Sequence, residues 1–247
     1  MGKSQEYRAK LKRLRNWVPF LLRESNLPGP RGNLELLQAV ADEGKTEQFL
    51  AFLAHTAERA PTGTREEFLA ACGATGLGER IAHGETGLWS KLRVTASDAR
   101  WRVREGVAMG LQRVGDRDMP LLLRELRTWT GGGPLERRAV AAGLCEPRLL
   151  SKKRDARAVL RILEELTQSL QNEPDRRDEA VRTFRQALGY CWSVAICASP
   201  VEGKKRFERL AASTDPDVRW VIRENLKKSR LLRMDPDWVA GMKSLVA

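Results

Sequence analysis

The sequence predicts an all-α chain, a right-handed α-solenoid of stacked antiparallel helix hairpins. Three observations carry that expectation. Apolar residues recur at helical spacing, turn-forming residues interrupt the chain at short intervals, and one hexamer returns in the same register 119 residues later.

The helical spacing is visible from the start. Tyr7, Leu11, Leu14 and Val18 fall on one helical face, with Lys10, Lys12, Arg13 and Arg15 around it. This segment, Tyr7 to Leu22, is expected to form one basic amphipathic helix that caps the end of the stack rather than lying on a membrane. Val159, Ile162, Leu163, Leu166 and Leu170 repeat the pattern, as do Ala180, Phe184, Ala187, Leu188 and Cys191. Alternation of period two is not sustained anywhere, so no substantial sheet is expected.

Breaks fall at Pro28-Gly29-Pro30, Ala60-Pro61, Gly131-Gly132-Gly133-Pro134, Glu146-Pro147, Glu173-Pro174 and Asp215-Pro216. Helices of about 10–20 residues joined by such turns form hairpins rather than a long coiled coil. Asp175, Asp215 and Asp235 stand where helix N-caps belong. The glycine-rich stretch Gly73-Ala74-Thr75-Gly76-Leu77-Gly78 follows Phe68-Leu69-Ala70-Ala71-Cys72. That order reads as a helix end followed by a turn, not as a phosphate loop after a strand.

The hexamer Arg100-Trp101-Arg102-Val103-Arg104-Glu105 returns as Arg219-Trp220-Val221-Ile222-Arg223-Glu224, each copy after an acidic turn. Three units of about 40 residues fill the interval, a period proper to helical-hairpin solenoids. Asp98-x-x-x-x-Val103-Arg104 and Asp215-Pro216-Asp217-Val218-Arg219 resemble the Asp-Pro-x-Val-Arg element that opens the second helix of a HEAT repeat. The resemblance covers residues 97–228. It implies HEAT-like repeats over 96–247 with a C-terminal capping helix, whereas the N-terminal helical part over 1–95 fits by its helical periodicity alone. In such a repeat the Asp caps, the Val enters the core, and the Arg reaches into the next repeat.

The charge pattern bears on partners. The chain carries +12, and the segments 1–31, 148–161 and 219–233 together carry +16, so the remainder is −4. Clustered Lys and Arg suit a polyanion, because binding releases condensed counterions. The expected partner is therefore nucleic acid or an acidic protein. The candidate contact residues are Arg102, Arg104, Arg138, Lys152, Lys153, Arg219, Arg223, Lys227 and Lys228. Trp101, Trp192 and Trp220 are candidates for an aromatic cleft, and the equal register of Trp101 and Trp220 suggests an equal packing role.

Several classes find no support. Cys72, Cys145, Cys191 and Cys197 form no C-x-x-C pair, and with only His55 and His83 to supplement them no metal site is expected. Buried free thiols in a cytoplasmic protein are the expectation. No apolar run spans a membrane, no signal peptide is read, and no cofactor motif occurs. The chain lacks G-x-x-x-x-G-K-[ST], H-E-x-x-H and G-x-S-x-G, so the reading is binding without catalysis. The alternative is a DNA-repair glycosylase acting on alkylated bases, since HEAT-like bacterial alkylpurine DNA glycosylases are similar in size, basicity and repeat design. Glu105 and Glu224 are the acidic residues of the right type, but no motif carries over a catalytic role to either.

Overall fold

The computed structural model describes residues 2–246, and among these the chain is helical without strands. Its helices gather into two compact units, Met1–Asp118 and Met119–Ala247. The first of the two repeated hexamers thus packs with the N-terminal helices.

The first unit holds α1 (Lys3–Leu11), α2 (Val18–Glu24), α3 (Leu34–Glu43), α4 (Thr46–Leu53), α5 (Glu67–Ala82), α6 (Trp89–Thr95) and α7 (Trp101–Arg117). Helices α1, α3, α5 and α7 pack successively side by side, α4 packs against α5, and α6 against α5 and α7. Their shared core includes Leu36, Val40, Phe49, Leu69, Leu77, Val107 and Leu111. Arg113 of α7 joins three helices, donating to Asp42 of α3 at 2.7 Å and to Glu79 of α5 at 2.6 Å.

Two expectations are corrected here. The N-terminal segment is not one helix. The chain leaves α1 after Leu11, whose carbonyl accepts from the Trp17 indole at 2.9 Å. It re-enters helix at Val18, where the Asn16 side chain accepts from the Val18 amide at 3.0 Å and Pro19 supplies a preset φ in the first turn.

The glycine-rich stretch, expected as a cap and turn, lies inside α5. A Cβ at Gly76 would sit 2.3 Å from the Phe49 ring, and one at Gly78 would sit 2.2 Å from the Gly110 Cα. These glycines remove side chains so that α4 and α7 can approach the α5 backbone, which outweighs their poor helix propensity. Gly78→Ala must therefore push two backbones apart, and it is expected to cost about 2 kcal/mol, in the range of core overpacking. Urea unfolding checks this, and a loss below about 0.5 kcal/mol, the scatter of ordinary surface substitutions, would contradict so close a crossing.

The second unit holds α8 (Met119–Arg127), α9 (Pro134–Leu144), α10 (Lys153–Ser169), α11 (Glu179–Ala198), α12 (Pro200–Ala211), α13 (Pro216–Leu226), α14 (Ser229–Met234) and α15 (Pro236–Leu245). Helices α9, α11 and α13 form one layer, with α10 and α12 packed against α11 and each other. Helices α14 and α15 close against α13. The core gathers Leu160, Leu163, Phe184, Leu188, Trp192, Phe207 and Ile222.

The buried Asn225 side chain links α13 to α11. It donates to the Leu188 and Val221 carbonyls, both at 2.8 Å, and accepts from the Ser193 amide at 2.9 Å. The caps follow the sequence in two of three cases. Asp215 accepts from the Asp217 and Val218 amides at the start of α13, and Asp235 from the Trp238 amide at the start of α15. Asp175 instead accepts from the Arg177 amide in the preceding turn, while Asp178 caps α11.

Candidate nucleic-acid interface

The two hexamer copies do different work despite their shared register. Helix α7 begins at Trp101, whereas α13 begins at Pro216, a full turn before Trp220. Trp101 is consequently 45% exposed, with the Arg102 guanidinium stacked 4.4 Å from its ring centroid. Trp220 is half-buried, lies against Gly189 of α11, and is covered by the Arg185 guanidinium at 4.6 Å.

The arginines differ likewise. Arg104 is buried and donates to the Asp98 and Ala99 carbonyls, each at 2.7 Å, so it braces its own turn. The reach into a neighbouring hairpin is made by Arg100, whose buried guanidinium donates to the His55 and Ala60 carbonyls. The corresponding residue of Arg104 in the second copy, Arg223, is exposed.

The other candidate residues separate into two groups. Arg102 donates to Glu67 at 3.0 Å and to the Gly29 carbonyl at 2.8 Å, a structural use of both terminal nitrogens. Arg138 is buried, and Arg219 is half-buried. Trp192 is sealed in the core, donating to Thr167 at 2.9 Å and packed 5.5 Å from the Phe207 ring. By contrast Lys152, Lys153 and Arg223 are exposed, Lys228 is half-exposed, and Lys227 is exposed while paired to Glu224.

Basic segments from distant parts of the second unit meet at one place. A cavity of about 480 Å³ is lined by Pro147, Leu150 and Ser151 from the turn before α10, by Val194, Cys197 and Ala198 of α11, and by Arg230 and Arg233 of α14. The 148–161 and 219–233 basic segments thus border the same recess, and its lining holds no carboxylate. Arg230 is held in place by Tyr190, whose ring centroid lies 4.6 Å away and whose hydroxyl accepts from it at 2.5 Å. Tyr190 remains 46% exposed. Cys197 shares this lining with Arg230 and Arg233; burial pushes its thiol up, and the two guanidiniums work against that rise.

Tyr190, Arg230 and Arg233 do not stand out in the sequence. The i, i+3 spacing of the two arginines within a basic segment is the one signal that points to them.

A second cavity, of about 360 Å³ in the first unit, is mostly apolar, with Leu34, Leu37, Phe68 and Met109 beneath Trp101, Arg102 and Glu105. Trp101 is its one tryptophan.

Asp215 also shapes the second unit's surface. Burial raises its carboxyl pKa, but Arg176 and the Val218 and Asp217 amides outweigh this and hold it below the usual carboxylate range. Among the described residues no cluster of His, Cys, Asp or Glu could hold a metal ion, and no helix is long and apolar enough to cross a membrane. Cys72, Cys145 and Cys191 are buried free thiols and Cys197 is half-buried. Compared with protein-family models, curated proteins and solved structures, the chain matches none.

Proposed function

We propose that this is a non-catalytic, cytoplasmic binding protein whose two units are short stacks of HEAT-like hairpins, and that the second unit engages the phosphate backbone of nucleic acid. The observation that carries this reading is the meeting of two basic segments around a recess free of carboxylates. Lys and Arg gain by replacing condensed counterions on a polyanion. The Arg–aromatic stacks at Tyr190 and Trp220 favour nucleic acid over an acidic protein, because flat, electron-rich rings beside guanidiniums also accept bases. Lys152, Lys153, Arg223 and Lys228 are the backbone contacts in this account. Arg104, Arg138 and Trp192 serve the fold.

The glycosylase alternative draws less support. Glu224 is ion-paired to Lys227, and the cavity holding Glu105 is lined by one tryptophan rather than two.

Fluorescence anisotropy with a labelled duplex across a salt series tests the reading. Affinity should fall steeply with salt, with a log–log slope near −0.9 per phosphate contacted. Lys152→Glu with Lys153→Glu should weaken binding alike for all sequences and reduce the slope by about two, one for each phosphate no longer neutralised. Absence of binding at low salt would overturn the proposal and leave an acidic protein as the partner.

A further inference from the structure

The recess of the second unit carries more chemistry than a backbone track needs. Arg230 and Arg233 stand three positions apart on α14, and both line the same cavity. The ring and hydroxyl of Tyr190 fix the Arg230 guanidinium before any ligand arrives. Such a preset, planar donor loses little entropy on binding an oxyanion. Ser151 offers a hydroxyl in the same lining, and the remaining wall is apolar, formed by Leu150, Val194 and Ala198. Two positive charges against an apolar wall, with no carboxylate in the lining, call for two negative charges on the ligand.

We infer that this recess receives the terminal phosphate monoester of a nucleic-acid strand, with Arg230 and Arg233 as its charge partners and Ser151 as an added hydrogen-bond donor. An internal phosphodiester brings one negative charge, whereas a monoester brings about −1.5 to −2 at neutral pH and three acceptor oxygens. The monoester therefore matches both the charge and the donors of the recess. The inference rests on the nucleic-acid reading above, and the experiment separates the two.

The full-length protein is titrated with one fluorescent single-stranded oligonucleotide in three forms, carrying a 5′ phosphate, a 3′ phosphate, or none. At least one phosphorylated form should bind about tenfold or more tightly than the unphosphorylated one. Arg233→Ala and Arg230→Ala should each abolish that preference, so that the phosphorylated and unphosphorylated strands bind the same variant alike. Circular dichroism confirms that each variant is folded, and Arg233, being exposed, is the safer of the two. Inorganic phosphate at millimolar concentration should compete away the preference and nothing else. Equal affinity for all three forms would overturn the strand-end site and leave the backbone reading intact. Binding of inorganic phosphate without any preference for a phosphorylated strand would assign the recess to free phosphate instead. Failure of every form to bind would overturn the strand-end site, and failure of the duplex as well would overturn both.

Discussion

Replacing Asn225 by Ala is expected to destabilise the protein by about 3 kcal/mol, the sum of three buried hydrogen bonds at about 1 kcal/mol each. The side chain is fully buried, and it satisfies the Leu188 and Val221 carbonyls and the Ser193 amide together. Alanine removes all three bonds and opens a small polar void between α11 and α13. Asn225→Asp should also be costly, because a carboxylate cannot donate to the two carbonyls and would be buried with a charge. The urea midpoint should fall with little change in the slope. A loss under about 1 kcal/mol would mean that water or backbone adjustment replaces the amide. The same bridge sets Tyr190 and Trp220 relative to each other, since both helices carry ring-bearing surface within a turn or two of it. Nucleic-acid affinity should therefore decline in the Asn225 variant even where it remains folded.

Arg102→Ala is expected to cost about 3–5 kcal/mol, the range seen when one partner of a buried ion pair is removed. Glu67 is 0% exposed, and its Oε2 accepts from Arg102 at 3.0 Å and from the Gly63 amide at 2.8 Å. Its Oε1 has no partner, so removing the guanidinium leaves a buried carboxylate held by one amide. The variant also frees the Gly29 carbonyl, which tethers the loop before α3 to α7. Arg102→Met combined with Glu67→Gln should recover at least half of the loss, since the charge disappears and the Gly63 amide keeps its acceptor. Equal destabilisation of the single and double variants would assign the effect to packing rather than charge.

Much of the helical architecture was legible because burial writes itself into spacing. The Val159–Leu170 and Ala180–Cys191 patterns are helices α10 and α11, and the caps at Asp215 and Asp235 fall where short acidic side chains precede Pro. What was not legible depends on neighbours distant in sequence. Gly73, Gly76 and Gly78 read as a turn because glycine disfavours helices, and the close approach of Phe49, Leu53 and Gly110 explains their presence inside α5. The equal register of Trp101 and Trp220 concealed a one-turn difference in where their helices begin. Nor does a string of residues distinguish Arg104, spent on two carbonyls, from Arg223, which faces solvent. The recess was hidden for the same reason, since Ser151, Cys197 and Arg233 come from three separate segments.

On the proposed reading, the second unit's basic recess and its surroundings form the nucleic-acid surface. Hydrogen exchange of the full-length protein, with and without a saturating single-stranded oligonucleotide at low salt, tests it most directly. Slowed exchange is expected in residues 147–161, in the Tyr190 turn of α11 and in residues 219–233, with α1 to α6 unchanged. Protection confined to the first unit, around Trp101 and Glu105, would contradict it and move the site to the apolar cavity there.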